Sequence, residues 1–215
     1  MQTRLTLELL RPFAGASVLD VGGGHAQLAE PLAARGFAVT VLGSDPACGA
    51  RLRPLLDAGR AGFEVGDLLR LPCADASFDV VLSFRLLPHL DEWRALVAEL
   101  CRVARRAVIV DYPSRRSANA FAEALFTAKQ GVEGNTRPFL VFRDAEVAQA
   151  FEAAGYRASG RRREYFVPMA LHRALGSGRV SRGLEAACAV LGLRGAFGSP
   201  VILRAEPAAG RAAAA

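Results

Sequence analysis

The sequence contains no apolar run of the roughly 20 residues that a membrane-spanning helix requires, because charged residues interrupt each run earlier. Residues 1–10 lack the ordered basic, apolar and small-residue segments of a secretory signal. The four cysteines include no Cys-x-x-Cys pair, and no histidine stands at metal-ligand spacing from them. These absences predict a cytoplasmic protein with reduced thiols, without a membrane span and without a metal.

Lysine is almost missing as well. Lys129 is the only one, so the net charge of +6 comes from arginines that are spread along the chain. A nucleic-acid-binding protein usually concentrates its basic residues on one face, and we therefore expect no nucleic-acid partner. The densest basic cluster, Arg161 to Arg163, is interpreted as a solvated strand end, with a contact to an anionic group as the alternative.

Short apolar segments alternate with longer helical patterns through the first half of the 215-residue chain, and one α/β domain accounts for this length. This alternation predicts a doubly wound parallel sheet, in which the turns after the strands share one edge. The predicted strands cover residues 17–21, 38–42, 62–65, 78–83 and 107–111. The predicted helices cover residues 27–34, 47–58 and 91–104.

The pattern changes after residue 113. We interpret residues 114–140 as a helical insert over the ligand edge and residues 168–192 as a helical cap. The sequence thus predicts a single domain over residues 1–209, a monomer or homodimer, with a disordered tail at 210–215. The remaining predicted elements are a helix at 144–154 and strands at 156–167 and 200–204.

A glycine-rich turn joins the first predicted strand to the first helix, in the sequence Asp-Val-Gly-Gly-Gly-His-Ala from Asp20 to Ala26. Glycines let the backbone turn tightly and approach a ligand closely, and the amide groups of the following helix point toward that ligand. The turn predicts nucleotide binding, although the same device serves dinucleotide enzymes and ordinary tight packing.

Further motifs follow in order. Val-Thr-Val-Leu-Gly-Ser-Asp-Pro contains Asp45, Gly-Asp-Leu-Leu-Arg-Leu-Pro contains Asp67, and Phe-Asp-Val-Val-Leu-Ser ends at Ser83. Leu-Leu-Pro-His-Leu, with His89, and Cys-Arg-Val-Ala complete the series. Over residues 18–111 the series resembles the class I S-adenosylmethionine (SAM)-dependent methyltransferases of the broad family that includes the ubiquinone and menaquinone biosynthesis enzymes. This resemblance implies a Rossmann-like sheet of seven mostly parallel strands, with the last strand antiparallel and helices on both faces.

The resemblance also implies which residues contact the cofactor. Asp20 would support the turn and the amino group of SAM, or only cap the turn, and Asp67 would accept a hydrogen bond from the adenine amino group. Asp45 is the candidate ribose ligand; strict counting places Gly43 at that position, so a plain helix cap is the alternative role. The expected SAM contacts are Asp20, Gly22, Gly23, Gly24, His25, Asp45, Asp67, Leu68 and Ser83.

The residues around the end of the fourth strand argue against several methyltransferase classes. Enzymes that methylate exocyclic amines of bases usually have Asn-Pro-Pro-Tyr or Asp-Pro-Pro-Tyr there, whereas this chain has Ser-Phe-Arg-Leu from Ser83 to Leu86. Cytosine C5 enzymes need a Pro-Cys nucleophile at the same place, and the Pro72-Cys73 pair lies before the strand. Catechol-type enzymes hold magnesium with carboxylates after the fourth and fifth strands, where only Asp111 is available. A small-molecule substrate is therefore expected.

His89 is the candidate catalytic residue, because imidazole is suited to proton transfer near neutral pH and the resemblance places this segment beside the methyl group. It would act as a general base, or alternatively only shape the pocket. The candidate substrate contacts are Arg85, Tyr112, Tyr165 and His172.

Two other functions stay open at this point. A nicotinamide-dependent oxidoreductase could use the same glycine turn, but the chain lacks a recognisable Tyr-x-x-x-Lys pair. A non-catalytic protein could retain the methyltransferase fold, with SAM as a structural ligand; the shifted Asp45 and the replacement of the third family glycine by Ala26 keep this alternative open.

Overall fold

The computed structural model describes residues 1–23, 27–117, 139–166 and 178–209. At its centre lies a seven-stranded sheet with the strand order β3-β2-β1-β4-β5-β7-β6. Strands β1 to β5 pair in parallel, whereas β7 runs antiparallel between β5 and β6. The predicted sheet with its antiparallel last strand is confirmed. The strands are β1 (Ser17–Val21), β2 (Ala38–Gly43), β3 (Ala61–Val65), β4 (Phe78–Ser83), β5 (Ala104–Tyr112), β6 (Tyr156–Tyr165) and β7 (Ser199–Pro207).

Helices cover both faces of this sheet. On one face, Leu96 and Leu100 of the fourth helix and Phe151 of the fifth belong to a hydrophobic cluster with inward-facing strand residues. On the opposite face, Leu9 of the first helix and Leu32 of the second belong to another cluster. The helices are α1 (Gln2–Leu10), α2 (Ala29–Ala33), α3 (Arg53–Asp57), α4 (Trp93–Val103), α5 (Asp144–Ala153), α6 (Gly178–Val190) and α7 (Leu193–Phe197).

The single helix predicted over residues 47–58 is wrong. The structure has a 3-10 helix, Pro46–Leu52, followed by the short helix α3. Pro54 lies in the first turn of α3. Because proline has no amide hydrogen and its ring crowds the preceding turn, it is tolerated at the start of a helix and not within one.

The sequence analysis does not predict α1, which begins the described chain. Leu5 and Leu9, one helical turn apart, are buried together with Leu10 against the sheet. A helix of nine residues shows too few turns of apolar periodicity to stand out in a sequence. Its position is decided by packing on the strands, and it brings Gln2 to the edge of the sheet where the parallel strands end.

The predicted insert, cap and tail fall largely outside the described residues. Residues 118–138, 167–177 and 210–215 are not among those described. Helix α6 lies within the predicted cap. No helix in the described ranges is long and apolar enough to cross a membrane.

Candidate functional site

The site is built at one edge of the sheet. Strands β1, β4 and β5 are neighbours and run parallel, so their carboxyl ends lie side by side. The glycine turn follows β1, and the segment that contains Arg85 and His89 follows β4. In open α/β sheets this edge is where ligands bind.

The two described glycines of the turn are required by geometry. Gly22 has φ +77°, and a Cβ there would lie 3.2 Å from Leu86 Cδ2. A Cβ on Gly23 would lie 2.2 Å from Asp20 Oδ2, well inside contact distance. The turn therefore passes directly over the Asp20 carboxyl group, and only glycine allows this approach. Gly24 and His25 lie outside the described residues.

Asp20 is a buried carboxyl group beneath this turn, with 3% of its surface exposed. Burial raises its pKa from 3.8 to about 7, and the Arg85 guanidinium opposes this rise. A cation bound beside Asp20 would stabilise the ionised form further, because opposite charges lower the pKa of a carboxyl group. The turn thus presents a group suited to an ammonium ligand.

Asp45 lies beyond the end of β2. Its Oδ1 accepts a hydrogen bond of 2.7 Å from the Ala47 amide, so it caps the 3-10 helix. Gly43, the last residue of β2, has no room for a side chain because a Cβ there would lie 2.8 Å from the Cys48 Cβ. The structure therefore shows the capping role, and Asp45 stays a prediction as the ribose ligand.

Asp67 and Leu68 form the turn after β3. Asp67 is exposed and its Oδ1 accepts a hydrogen bond of 2.8 Å from the Leu69 amide. The half-buried Leu68 packs against the hydrophobic core. An exposed carboxylate next to a half-buried leucine suits a flat heterocycle with an amino donor.

Ser83, the last residue of β4, is fully buried, and its hydroxyl has no hydrogen-bond partner among the residues that the structure describes. Buried hydroxyl groups are normally paired, so an unpaired one needs an explanation. A polar ligand at the strand end is one explanation that the chemistry allows.

Arg85 has a left-handed backbone conformation, with φ +55°. Its amide donates to Asp111 Oδ1, and its guanidinium Nη2 donates to Gln27 Oε1 at 2.8 Å. Asp111 Oδ2 accepts a 3.0 Å hydrogen bond from Gln2 Nε2. The sequence suggests Asp111 only as a possible metal ligand and gives no signal for Gln2 or Gln27. The position of Asp111 near the end of β5 marks it in the sequence as a candidate site residue. Its hydrogen-bond partners, Gln2 and Arg85, lie far away in the chain, so no local pattern reveals them.

His89 ends the 3-10 helix Leu87–His89 and is exposed. Its ring packs against the ring of Phe139, with centroids 5.6 Å apart and planes tilted by 59°. The Leu140 amide donates to the Pro88 carbonyl at 2.8 Å, which holds this segment against the loop after β4. His89 thus stands at an accessible polar and aromatic surface beside the site.

The structure does not bring the other predicted substrate contacts together at this edge of the sheet. Tyr112 is fully buried and packs edge-on against Phe142, which does not favour a contact with substrate. Tyr165 ends β6, which β7 separates from β5, and burial raises its pKa. His172 lies outside the described residues.

The arginine cluster on β6 is not simply a solvated strand end. The Arg163 side chain is 7% exposed and pairs with Asp144 of α5. Arg162 pairs with Glu8 of α1 at 3.6 Å. These contacts attach helices to both faces of the edge strand. Within the described ranges, no three side chains of histidine, cysteine, aspartate or glutamate are grouped to hold a metal ion, and the absence of a metal stays a prediction.

Comparisons with known sequences match the part of the chain that carries the motifs. Residues 19–110 match a protein family described as a methyltransferase domain. A ubiquinone biosynthesis O-methyltransferase of Paramagnetospirillum magneticum is 35% identical over 124 residues, which cover 56% of this chain and 49% of that protein. One from Azorhizobium caulinodans is 30% identical over 166 residues, covering 70% of this chain and 62% of that protein. The matches thus span about half the length of the curated relatives.

Solved structures match over almost the whole chain. The magnesium protoporphyrin IX methyltransferase of Synechocystis PCC 6803, solved with bound SAH (S-adenosylhomocysteine), has a TM-score of 0.66 and 17% identity, covering 96% of this chain and 82% of that chain. At this identity the likeness shows the fold alone. The prediction from the motifs is confirmed: the chain resembles the class I SAM-dependent methyltransferases, in sequence over residues 19–110 and in fold over 96% of its length.

Proposed function

We propose that the protein binds SAM at the carboxyl edge of β1, β4 and β5 and transfers its methyl group to an oxygen of a small molecule. The observation that carries this proposal is the glycine turn packed directly over the buried carboxyl group of Asp20. The choice of oxygen rests on relatives named O-methyltransferases.

The residues present fit the parts of SAM. Asp20 suits the amino group of the methionine part, and Arg85, whose guanidinium lies beside the same turn and bonds to Gln27, suits its carboxylate. This would make Arg85 a cofactor contact and not a substrate contact. Asp45 suits the ribose, Asp67 and Leu68 suit the adenine, and the unpaired hydroxyl of Ser83 is available to a polar atom of the ligand.

The bound cofactor would supply a methyl group on a sulfonium, which a nucleophile attacks in line. The protein's part is to align the acceptor, exclude water and take up the proton that the acceptor loses. His89 would accept that proton from a hydroxyl group, and the Phe139 ring beside it would offer an apolar surface to a small organic substrate.

Calorimetric titration of the purified protein with SAH tests the proposal most directly. Saturable binding with one site is expected, together with a rise in the melting temperature, because a ligand that binds only the folded state stabilises it. A protein that binds neither SAH nor SAM, but shows a thermal shift with NAD(H) or NADP(H), would be an oxidoreductase instead.

Asp67→Ala should weaken SAH binding by about 1 to 3 kcal/mol, because an adenine donor loses its acceptor. Asp67→Asn is the matched variant, since its amide oxygen can still accept from the Leu69 amide while the other atom no longer accepts from adenine. Both variants should lose affinity in calorimetry. Loss in the alanine variant alone would assign the effect to the turn and contradict adenine recognition by Asp67.

Asp20→Asn should stabilise the free protein while weakening SAH binding about tenfold. The folded-state pKa of about 7 lies above 3.8, so ionised Asp20 destabilises the fold increasingly as the pH rises from about 4 to 7, and fully above that. The isosteric amide removes this cost, which is up to about 4 kcal/mol at pH 8. Melting temperatures without ligand should therefore rise at pH 8 and not at pH 4.

The control for this variant is Asp57→Asn, an exposed carboxylate at the end of α3. Its melting temperature should match that of the wild type at both pH values. An Asp20→Asn protein that is no more stable than the wild type at pH 8 would contradict a buried, ionised Asp20. Unchanged SAH affinity would contradict its contact with the amino group.

A further inference from the structure

We propose that Asp111 is a positioning residue that sets the conformation of the loop after β4, and through it both the cofactor turn and His89. Asp111 directly follows the part of β5 that pairs with β4, whose last pair is Ser83 with Val110, and it is 3% exposed. For binding and catalysis, this inference rests on the proposed function. The contact itself can be measured without any cofactor.

Both oxygens of Asp111 bond to segments that are distant in the chain. Oδ1 accepts from the Arg85 amide, 26 residues earlier, and Oδ2 accepts from the Gln2 side chain, 109 residues earlier. One buried carboxyl group therefore joins β5, the loop after β4 and the beginning of α1. Charged acceptors make stronger hydrogen bonds than neutral ones, so this junction is stiff.

The bond to Arg85 holds an unfavourable backbone conformation. Arg85 has φ +55°, which is uncommon for a residue with a side chain and persists only when its surroundings determine it. This conformation turns the chain so that the Arg85 side chain reaches Gln27, next to the glycine turn. Without the acceptor on Asp111, the Arg85 amide would lose its partner and the residue could relax toward negative φ.

The residues that follow depend on this turn. Leu86 lies against Gly22, whose missing Cβ would be 3.2 Å from Leu86 Cδ2. His89 lies three residues beyond Leu86 and ends a 3-10 helix. The His89 amide donates a hydrogen bond of 3.0 Å to the Leu86 carbonyl. A change at Arg85 would therefore displace one contact of the cofactor turn and the proposed base together.

The test compares three variants. Asp111→Ala removes the acceptor, Asp111→Asn keeps an oxygen for the Arg85 amide, and Asp111→Glu keeps the charge but shifts it by one methylene. Asp79→Ala is the matched control, because Asp79 Oδ2 also joins neighbouring strands, through the Ser17 amide and hydroxyl at 3.0 Å, but at the opposite end of β4. The measurements are hydrogen exchange of residues 84–90 and SAH affinity by calorimetry.

In Asp111→Ala, the amides of residues 84–90 should exchange hydrogen at least tenfold faster than in the wild type, and SAH should bind about tenfold more weakly. In Asp111→Asn, both the exchange rate and the SAH affinity should stay within about threefold of the wild type. Asp79→Ala should lose thermal stability with neither change. If Asp111→Ala does not fold, Asp111→Glu should show the same two effects.

Unchanged exchange of the loop in Asp111→Ala or Asp111→Glu would overturn the inference, and so would equal effects in Asp79→Ala. If the wild type binds no SAH, the proposed function fails, but the exchange data still decide whether Asp111 holds the loop. If the exchange is faster while the SAH affinity is unchanged, Asp111 shapes the loop without influencing the cofactor turn, and that part of the proposal is rejected.

Discussion

Gly23→Ala should abolish SAH binding, with a loss of affinity of 100-fold or more. The new methyl group would have to occupy the position 2.2 Å from Asp20 Oδ2, where two atoms cannot coexist. Asp20 is buried at 3% exposure in a closely packed interior, so relieving this contact requires a shift of the turn or of the Asp20 carboxyl group. A displaced turn would separate the cofactor from the carboxyl group that we propose binds its amino group, and it would prevent the close approach of the backbone to the ligand.

Gly195→Ala is the control for this variant, because a Cβ at Gly195 meets no atom of the described residues within 4 Å and no positive φ restricts it. It should bind SAH as the wild type does. Circular dichroism and the melting temperature establish that both variants are folded before calorimetry. A Gly23→Ala protein that binds SAH within threefold of the wild type would show that the cofactor does not lie on this turn.

His89→Ala should lower the methylation rate by about 10² to 10⁴ while the SAH affinity changes little, because a positioned base acts on the acceptor and not on the cofactor. The measurement needs an accepted substrate, which a panel of small hydroxylated aromatic compounds with radiolabelled SAM can identify.

His89→Gln separates the two roles of this residue. Glutamine can fill the space beside Phe139 and form hydrogen bonds, but it cannot take up a proton. If His89 is a base, His89→Gln should be as slow as His89→Ala. A rate close to that of the wild type in His89→Gln would assign His89 a role in shaping the pocket. Full activity of both variants at every pH would leave proximity alone as the source of catalysis.

The order of strands and helices could be predicted because each element is encoded locally. β1 and β4 have the predicted bounds, since buried parallel strands are short apolar runs between charged or glycine-containing turns. The helix predicted over residues 47–58 is not continuous, because Pro54 lacks an amide hydrogen and marks the start of a new helix, α3. α1 was missed because nine residues carry too little periodicity.

Several site segments can be read from the sequence alone, because the chemistry of each lies in one short stretch of chain. The glycine turn, the strand-end Asp20 and the turn that contains Asp67 are each complete within a few residues, so their pattern can be read directly. Their common edge also follows from the sequence, because alternating strands and helices form parallel sheets whose carboxyl ends meet.

The contacts between these segments appear only in the folded structure. Gln2, Arg85 and Asp111 meet although 109 residues separate the first from the last, and no local pattern relates them. The burial that raises the pKa of Asp20 and the packing that leaves Gly23 no room for a side chain likewise arise from neighbours distant in the chain. The physical reason is that desolvation, steric exclusion and hydrogen bonding depend on distances in space, which the chain sets only when it has folded.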